Sequence, residues 1–194
     1  MPLQQAVRVT EDDVILAHLM SERELELAIV FKVQQDTRNV GQNEIRRMLL
    51  YETRGGIYQR LIGPAGRIEW YRGTIDSPTF QKLKILPSED WVDISRGTLT
   101  LADTAQRFAT LNDLRVTMYP HHSENVDKYE SNLDQFPITL ILISTDFTGD
   151  YTIIDGVHHS IAAYRKYFLH SPTTFTPVSA YLGVCEYPCY WHAL

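Results

Sequence analysis

Residues 137–143, Pro137-Ile138-Thr139-Leu140-Ile141-Leu142-Ile143, form an uncharged run rich in β-branched side chains. Such a run reads as a strand buried within a sheet, since a half-exposed strand would alternate apolar with polar residues. Thr145 to Asp150 has turn chemistry with Gly149 inside it, and Tyr151 to Ile154 returns as a second strand, so the pair reads as a hairpin. Asp155-Gly156 ends that strand. His158 to Leu169 then reads as a helix, with Ile161, Ala162, Tyr164, Arg165 and Phe168 on or near one face. Pro177 to Val184 reads as a closing strand. The expected fold class is therefore α/β (α+β), built around a small mixed sheet.

The strand–Asp-Gly–helix junction carries the most chemistry. Gly156 permits a sharp turn or a positive φ, and the first helical turn then presents Val157, His158, His159 and Ser160. Helix N-termini bind anions through main-chain N–H groups and the helix dipole. Two imidazoles and a hydroxyl placed there fit a phosphate. Asp155 is a candidate to orient an imidazole, bind a metal or act as a base. The plainer alternative is that Asp155 caps the helix, Gly156 is only the turn residue, and Ile161-Ala162-Ala163 is core.

The stretch Ile153-Ile154-Asp155-Gly156-Val157-His158-His159-Ser160-Ile161-Ala162-Ala163-Tyr164 resembles the signature of the ParB/sulfiredoxin-like superfamily, an Asp-Gly-x-His-Arg type box between a strand and a helix that begins with small residues. Phe136 to Leu140 resembles that superfamily's Pro-Ile strand, the polar helix Ser123 to Leu133 sits where the superfamily has one, and Val178 to Gly183 resembles the strand after the signature helix. The resemblance covers roughly residues 83–194. It implies a small α/β fold that binds phosphate or nucleotide at the box, with Gly156, His158 and the next position meeting the phosphates. Its members include nucleotide-driven DNA partition proteins, sulfinic-acid reductases and nucleotide-dependent serine kinases. The Arg position of the box is His159 here, which is shorter and only partly charged near neutrality. The reductase branch needs a Cys just before the box His, where this chain has Val157. The kinase branch implies an upstream carboxylate base, for which Glu89, Asp90 and Glu124 are available.

Upstream, the pattern divides near residue 82. Thr10 reads as an N-cap before Glu11, Asp12 and Asp13, and apolar residues from Val14 to Ile29 supply one or two helices to about residue 34. Asn43 reads as the cap of a second helix through Leu50, stopped by Gly55-Gly56. Ile57 to Ile62 and Ile68 to Tyr71 read as the arms of a β-hairpin about Gly63-Pro64-Ala65-Gly66. That turn is no phosphate loop, because it lacks the Lys-Ser/Thr pair and the following helix. Phe80 to Leu86 reads as a short strand, Ala102 to Leu111 as a helix capped by Thr98 or Thr100, and Leu114 to Tyr119 as a strand. The expected division is residues 1–82, a helical and β-hairpin N-terminal elaboration, and residues 83–194, the ParB/sulfiredoxin-like domain.

Other signals are weaker. Cys185, Cys189 and His192 offer a Cys-x3-Cys-x2-His set that suits zinc, although the spacing is unusual and Pro188 interrupts it; isolated cysteines commonly pack as small apolar residues. His121-His122 after Pro120 suits a base or a phosphate contact, and is also an ordinary surface pair. Arg115 is a candidate for the cation missing from the box.

Composition bears on partners. The chain has 194 residues and a net charge of −6 from 18 basic and 24 acidic side chains. That balance lacks the summed field that holds nucleic acid, so a DNA-associated nucleotide switch is disfavoured. No apolar run is long enough to span a bilayer, and acidic residues interrupt the start of the chain, so a soluble cytoplasmic protein is expected. The leading expectation is a nucleotide- or phosphate-binding enzyme of phosphoryl transfer or hydrolysis on a small molecule, using ATP or another nucleotide, with Asp155 orienting a group or binding Mg²⁺. Asp155, His158 and His159 would be catalytic. Gly156, Val157, His158, His159, Ser160 and Arg115 would bind the phosphates. A homodimer is left open. The alternative is a non-catalytic regulatory or binding domain with a degenerate phosphate site.

Overall fold

The structure is a computed structural model that describes residues 3–21, 38–61, 68–110, 118–134, 138–148, 151–170 and 174–185. Its strands are β1 (Leu3–Val9), β2 (Glu69–Ile75), β3 (Lys84–Ile85), β4 (Thr139–Ser144), β5 (Thr152–Asp155) and β6 (Val178–Val184). Its helices are α1 (Glu11–Ser21), α2 (Val40–Leu61), α3 (Ser77–Gln81), α4 (Glu89–Ser95), α5 (Leu101–Ala109), α6 (Pro120–Asn132) and α7 (Val157–Tyr164), the last continued by a π-helical turn over Arg165–His170. The strands make one six-stranded mixed sheet in the order β1-β2-β6-β4-β5-β3. The α/β class read from the sequence is the class observed.

The charge-free run forms central strand β4, parallel to β6 and antiparallel to β5. Both of its faces are covered. Leu140 and Leu142 join a core with Trp91, Ile94, Leu101, Ala105, Phe108, Val126, Ile161 and Ala162, which come from α4, α5, α6 and α7. Ile141 and Ile143 join a second core with Val14, Ile15 and Leu19 of α1, Leu50 of α2 and Trp70 of β2. Every residue from Leu140 to Ser144 is buried, which is why the run has no polar alternation.

β2 pairs with β1 on one side and with β6 on the other, so strands from both sides of residue 82 share the sheet. β1 carries no clear alternation because its register slips between Gln4 and Val7, with Gln5 at a φ of 53°. A Cβ at Gly73 of β2 would stand 2.5 Å from the Gln4 carbonyl oxygen, so the close approach of the two strands needs a glycine there.

The expected β-hairpin over 57–71 is corrected. Residues 57–61 belong to α2, which runs through Gly55 and Gly56, and only the outgoing arm is a strand, β2. A mid-helix glycine costs about 1 kcal/mol relative to Ala, which a long helix tolerates. Ile57, Tyr58 and Leu61 are also spaced three and four apart, a helical period. The Gly63–Gly66 turn lies outside the described residues.

Several boundaries shift too. Thr10 does cap α1: the Asp13 amide donates to Thr10 Oγ1 at 3.2 Å and the Thr10 amide to Asp13 Oδ2 at 2.9 Å, a reciprocal box. The cap of α2 is Asn39, whose Oδ1 accepts from the Gln42 amide; Asn43 lies inside the helix and ties it to Asp12 of α1 at 2.8 Å. Thr100 caps α5 through the Asp103 amide. α6 starts at Pro120 behind Tyr119, so Ser123 is within the helix. Phe80 is helical, in α3. The expected continuation of the first helix to residue 34, and most of the 114–119 strand, fall outside the described residues. No described helix is long and apolar enough to cross a membrane.

Candidate functional site

Beyond the C-terminal ends of the parallel pair β3 and β5, the first turns of α4, α6 and α7 meet. Each start is encoded locally. Ser88 after Pro87 takes the extended N-cap conformation of α4, Pro120 pre-sets the first residue of α6, and Gly156 opens α7 in the left-handed region at φ 90°. The first turns carry Asp90 on α4, His121 and His122 on α6, and His158 on α7.

These side chains form a hydrogen-bonded chain. His122 Nε2 lies 2.7 Å from Asp90 Oδ2, and His122 Nδ1 lies 2.7 Å from His158 Nε2. The other oxygen of Asp90 accepts from the Ser88 hydroxyl and from the Trp91 amide, so the carboxylate is fixed at both ends. Trp91 lies against both rings, with its centroid 4.2 Å from that of His122 and 5.4 Å from that of His158. His122 is 5% exposed, so its position is set by packing as well as by its partners.

The protonation pattern follows from the surroundings. Burial pushes the His122 imidazole below its ordinary range, outweighing the opposing bond to Asp90, and neighbouring His121 pushes it the same way. Burial also acts to raise the Asp90 carboxyl, but bonds from Ser88, His122 and the Trp91 amide together hold it below its ordinary value. At neutral pH Asp90 is therefore an anion and His122 a neutral ring. His122 Nε2–H then donates to Asp90, which leaves its Nδ1 to accept from His158 Nε2–H.

The residues expected at the box divide into groups. His158 enters this chain, whereas His159 turns to α6, its ring tilted against that of Tyr129 at a centroid distance of 3.5 Å. Ser160 is fully buried, and its hydroxyl and amide both donate to the Gly156 carbonyl at 2.9 Å. It closes the first turn from inside and presents no hydroxyl to a ligand, which corrects the phosphate contact expected of it. Val157 packs against the core beneath α7. Asp155 does not cap the helix, because Gly156 holds that position. Its Oδ2 instead stands 2.9 Å from Nδ1 of the fully buried His18 on α1.

Cys185 follows β6, its amide donating to the Ser144 carbonyl at 3.1 Å. Arg115, Cys189 and His192 lie outside the described residues.

Gly156 is required by space as well as by φ: an added Cβ would stand 2.7 Å from Leu140 Cδ2. Of the upstream carboxylates, Asp90 is the one in hydrogen-bond contact with His122. The part that sequence reasoning missed is its link to the box through His122. Ser88 and Pro120 as helix-start residues were the available signals, since each places a polar residue in a first turn. Comparison of the chain with family models, with curated proteins and with solved structures finds no match.

Proposed function

We propose that the chain is a phosphate- or nucleotide-binding enzyme that carries out phosphoryl transfer or hydrolysis on a small molecule, in keeping with the ParB/sulfiredoxin-like resemblance of the Asp155–His159 box. The observation that carries this reading is the Asp90–His122–His158 chain, which ends on the first turn of α7. Ligands of open α/β sheets gather beyond the carboxyl ends of strands, and helix starts there favour anions.

In this reading the α7 start at Gly156 and Val157 holds the phosphate through main-chain N–H groups. An attacking hydroxyl or water gives its proton to the His158 imidazole. The imidazolium that forms keeps its Nε2–H on His122, whose own Nε2–H is held by anionic Asp90, so the developing positive charge is stabilised through the chain. Asp90 is the upstream carboxylate, acting through two imidazoles instead of touching the substrate.

One observation favours the second reading, a non-catalytic domain with a degenerate phosphate site. His159, which stands where the resemblance expects Arg, lies against Tyr129 and brings no guanidinium to the phosphates.

A thermal-shift series with ATP, ADP, CTP and inorganic phosphate, each with and without Mg²⁺, separates the two. Stabilisation by one of these together with turnover supports the enzyme. Stabilisation without turnover supports the degenerate site. Silence across the whole series removes both.

A further inference from the structure

We infer that Asp90, His121 and His122 form a binding site for a divalent transition-metal ion of the zinc class. Each offers one ligand atom, and the three atoms lie within 4.8 Å of one another. Two imidazoles and a carboxylate are a donor set that suits Zn²⁺ with an open fourth position, and the same set serves other first-row ions.

The surroundings favour coordination over a chance cluster. Metal-binding imidazoles and carboxylates are usually held by hydrogen bonds through their non-ligating atoms. His122 has Nε2 toward Asp90 and Nδ1 against His158 at 2.7 Å. Asp90 has Oδ2 toward His122, while Oδ1 takes the Ser88 hydroxyl and the Trp91 amide. Two of the three ligands are thus oriented from behind. The third, His121, is exposed, and its ring lies 4.0 Å from that of His122, centroid to centroid. It is the ligand open to solvent, on the side from which an ion would arrive.

The necessary movement is small. Two ligand atoms on a tetrahedral zinc stand about 3.3 Å apart, against 2.7 Å between Asp90 Oδ2 and His122 Nε2. His122 is wedged against Trp91, whereas Asp90 is 31% exposed and can swing by the fraction of an ångström required. The positive ends of α4 and α6 oppose a cation, but each is weaker than direct coordination by three ligands.

Coordination would also reverse the chain. With the ion on His122 Nε2, the ring proton sits on Nδ1 and donates to His158 Nε2, so a neutral His158 carries its proton on Nδ1. The site does not rest on the phosphate reading, because it is defined by its own donors and tested with metal alone.

The test is equilibrium titration of the full chain with Zn²⁺ against a competing chromophoric chelator, repeated with Co²⁺ to read the ligand-field absorption. The expected result is one ion per chain and a tetrahedral Co²⁺ spectrum without a thiolate charge-transfer band. His121→Ala should weaken binding by at least about ten- to a hundredfold. Because His121 is exposed, this variant is expected to unfold at the wild-type temperature, which a circular-dichroism melt checks. Asp90→Asn should weaken binding comparably, and Cys185→Ser should leave it unchanged. Absence of stoichiometric binding, or unchanged affinity in folded His121→Ala, would overturn the site. So would loss of binding in Cys185→Ser, which would place the ion at the C-terminal cysteine segment.

Discussion

His122 and His158 face one another nitrogen to nitrogen at 2.7 Å, though they start different helices and are separated by 36 positions in the chain. If this contact aligns a base, its removal must be felt in chemistry before binding. His158→Ala is expected to lower turnover by roughly 10²- to 10⁴-fold, while the nucleotide-induced thermal shift is largely retained. His122→Gln should cost part of that factor by removing the link to Asp90. Steady-state kinetics on folded protein provide the measurement, and unchanged turnover in His158→Ala would dispose of the proposed base.

Gly156 combines a φ of 90° with a Cβ direction that points at Leu140 Cδ2, 2.7 Å away. Gly156→Ala therefore adds a left-handed alanine and an overlap with a fully buried core residue. The expected loss of stability is about 2–4 kcal/mol. Urea unfolding of the variant would show it as a lower midpoint at an unchanged slope. A midpoint within experimental error of wild type would mean that the turn relaxes freely.

What the sequence disclosed follows from the range over which each signal acts. The β4–β5 hairpin and α7 were legible because a charge-free run, an Asp-Gly stop and a small-residue helix start act over a few residues. β1 was not, because its bulge near Gln5 destroys the alternation that marks a strand. The hairpin over 57–71 failed because the helical spacing of Ile57, Tyr58 and Leu61 was outweighed by the turn-like Gly-Pro-Ala-Gly after them, and the glycine pair was given more breaking power than a long helix concedes. Asp90 was visible only as one available carboxylate and His122 only as half of a histidine pair, and their meeting with His158 is set by three helices packing on one sheet face. Asp155 shows the converse: its partner, His18, lies on a helix packed in the other core, a pairing that no local pattern announces.

That pairing yields a test of Asp155 itself. With His18 fully buried and Asp155 mostly so, the 2.9 Å contact ties the end of β5 to α1. Asp155→Ala removes the carboxylate from this buried contact, and the expected cost is about 1–3 kcal/mol. Turnover measured well below the melting temperature should change only a few-fold, because Asp155 Oδ2 is engaged with His18 on α1. An unchanged unfolding midpoint combined with abolished turnover would instead restore Asp155 to the catalytic role that the motif implied.

The alkaline limb of stability offers a further check on the core. Tyr151 is 2% exposed and its hydroxyl donates to the Phe147 carbonyl at 2.7 Å. Burial, with a smaller contribution from Asp146, pushes its phenol up from 10 to about 12. The protonated form is thus favoured by the folded state. Between these two values the unfolded chain has released this proton while the native chain still binds it, so stability falls as pH rises. The contribution is fully present below pH 10 and is lost as the pH climbs toward about 12. Other phenols shift in the same direction, among them Tyr164 and Tyr181, so the wild-type slope is a sum. Tyr151→Phe isolates the one group. The variant should be less stable at neutral pH for want of the hydroxyl's bond, yet lose less of its remaining stability across the alkaline window. Denaturant midpoints at a series of pH values, alongside the phenolate ultraviolet band, measure both effects. Parallel wild-type and variant curves would show that Tyr151 titrates as an ordinary exposed phenol.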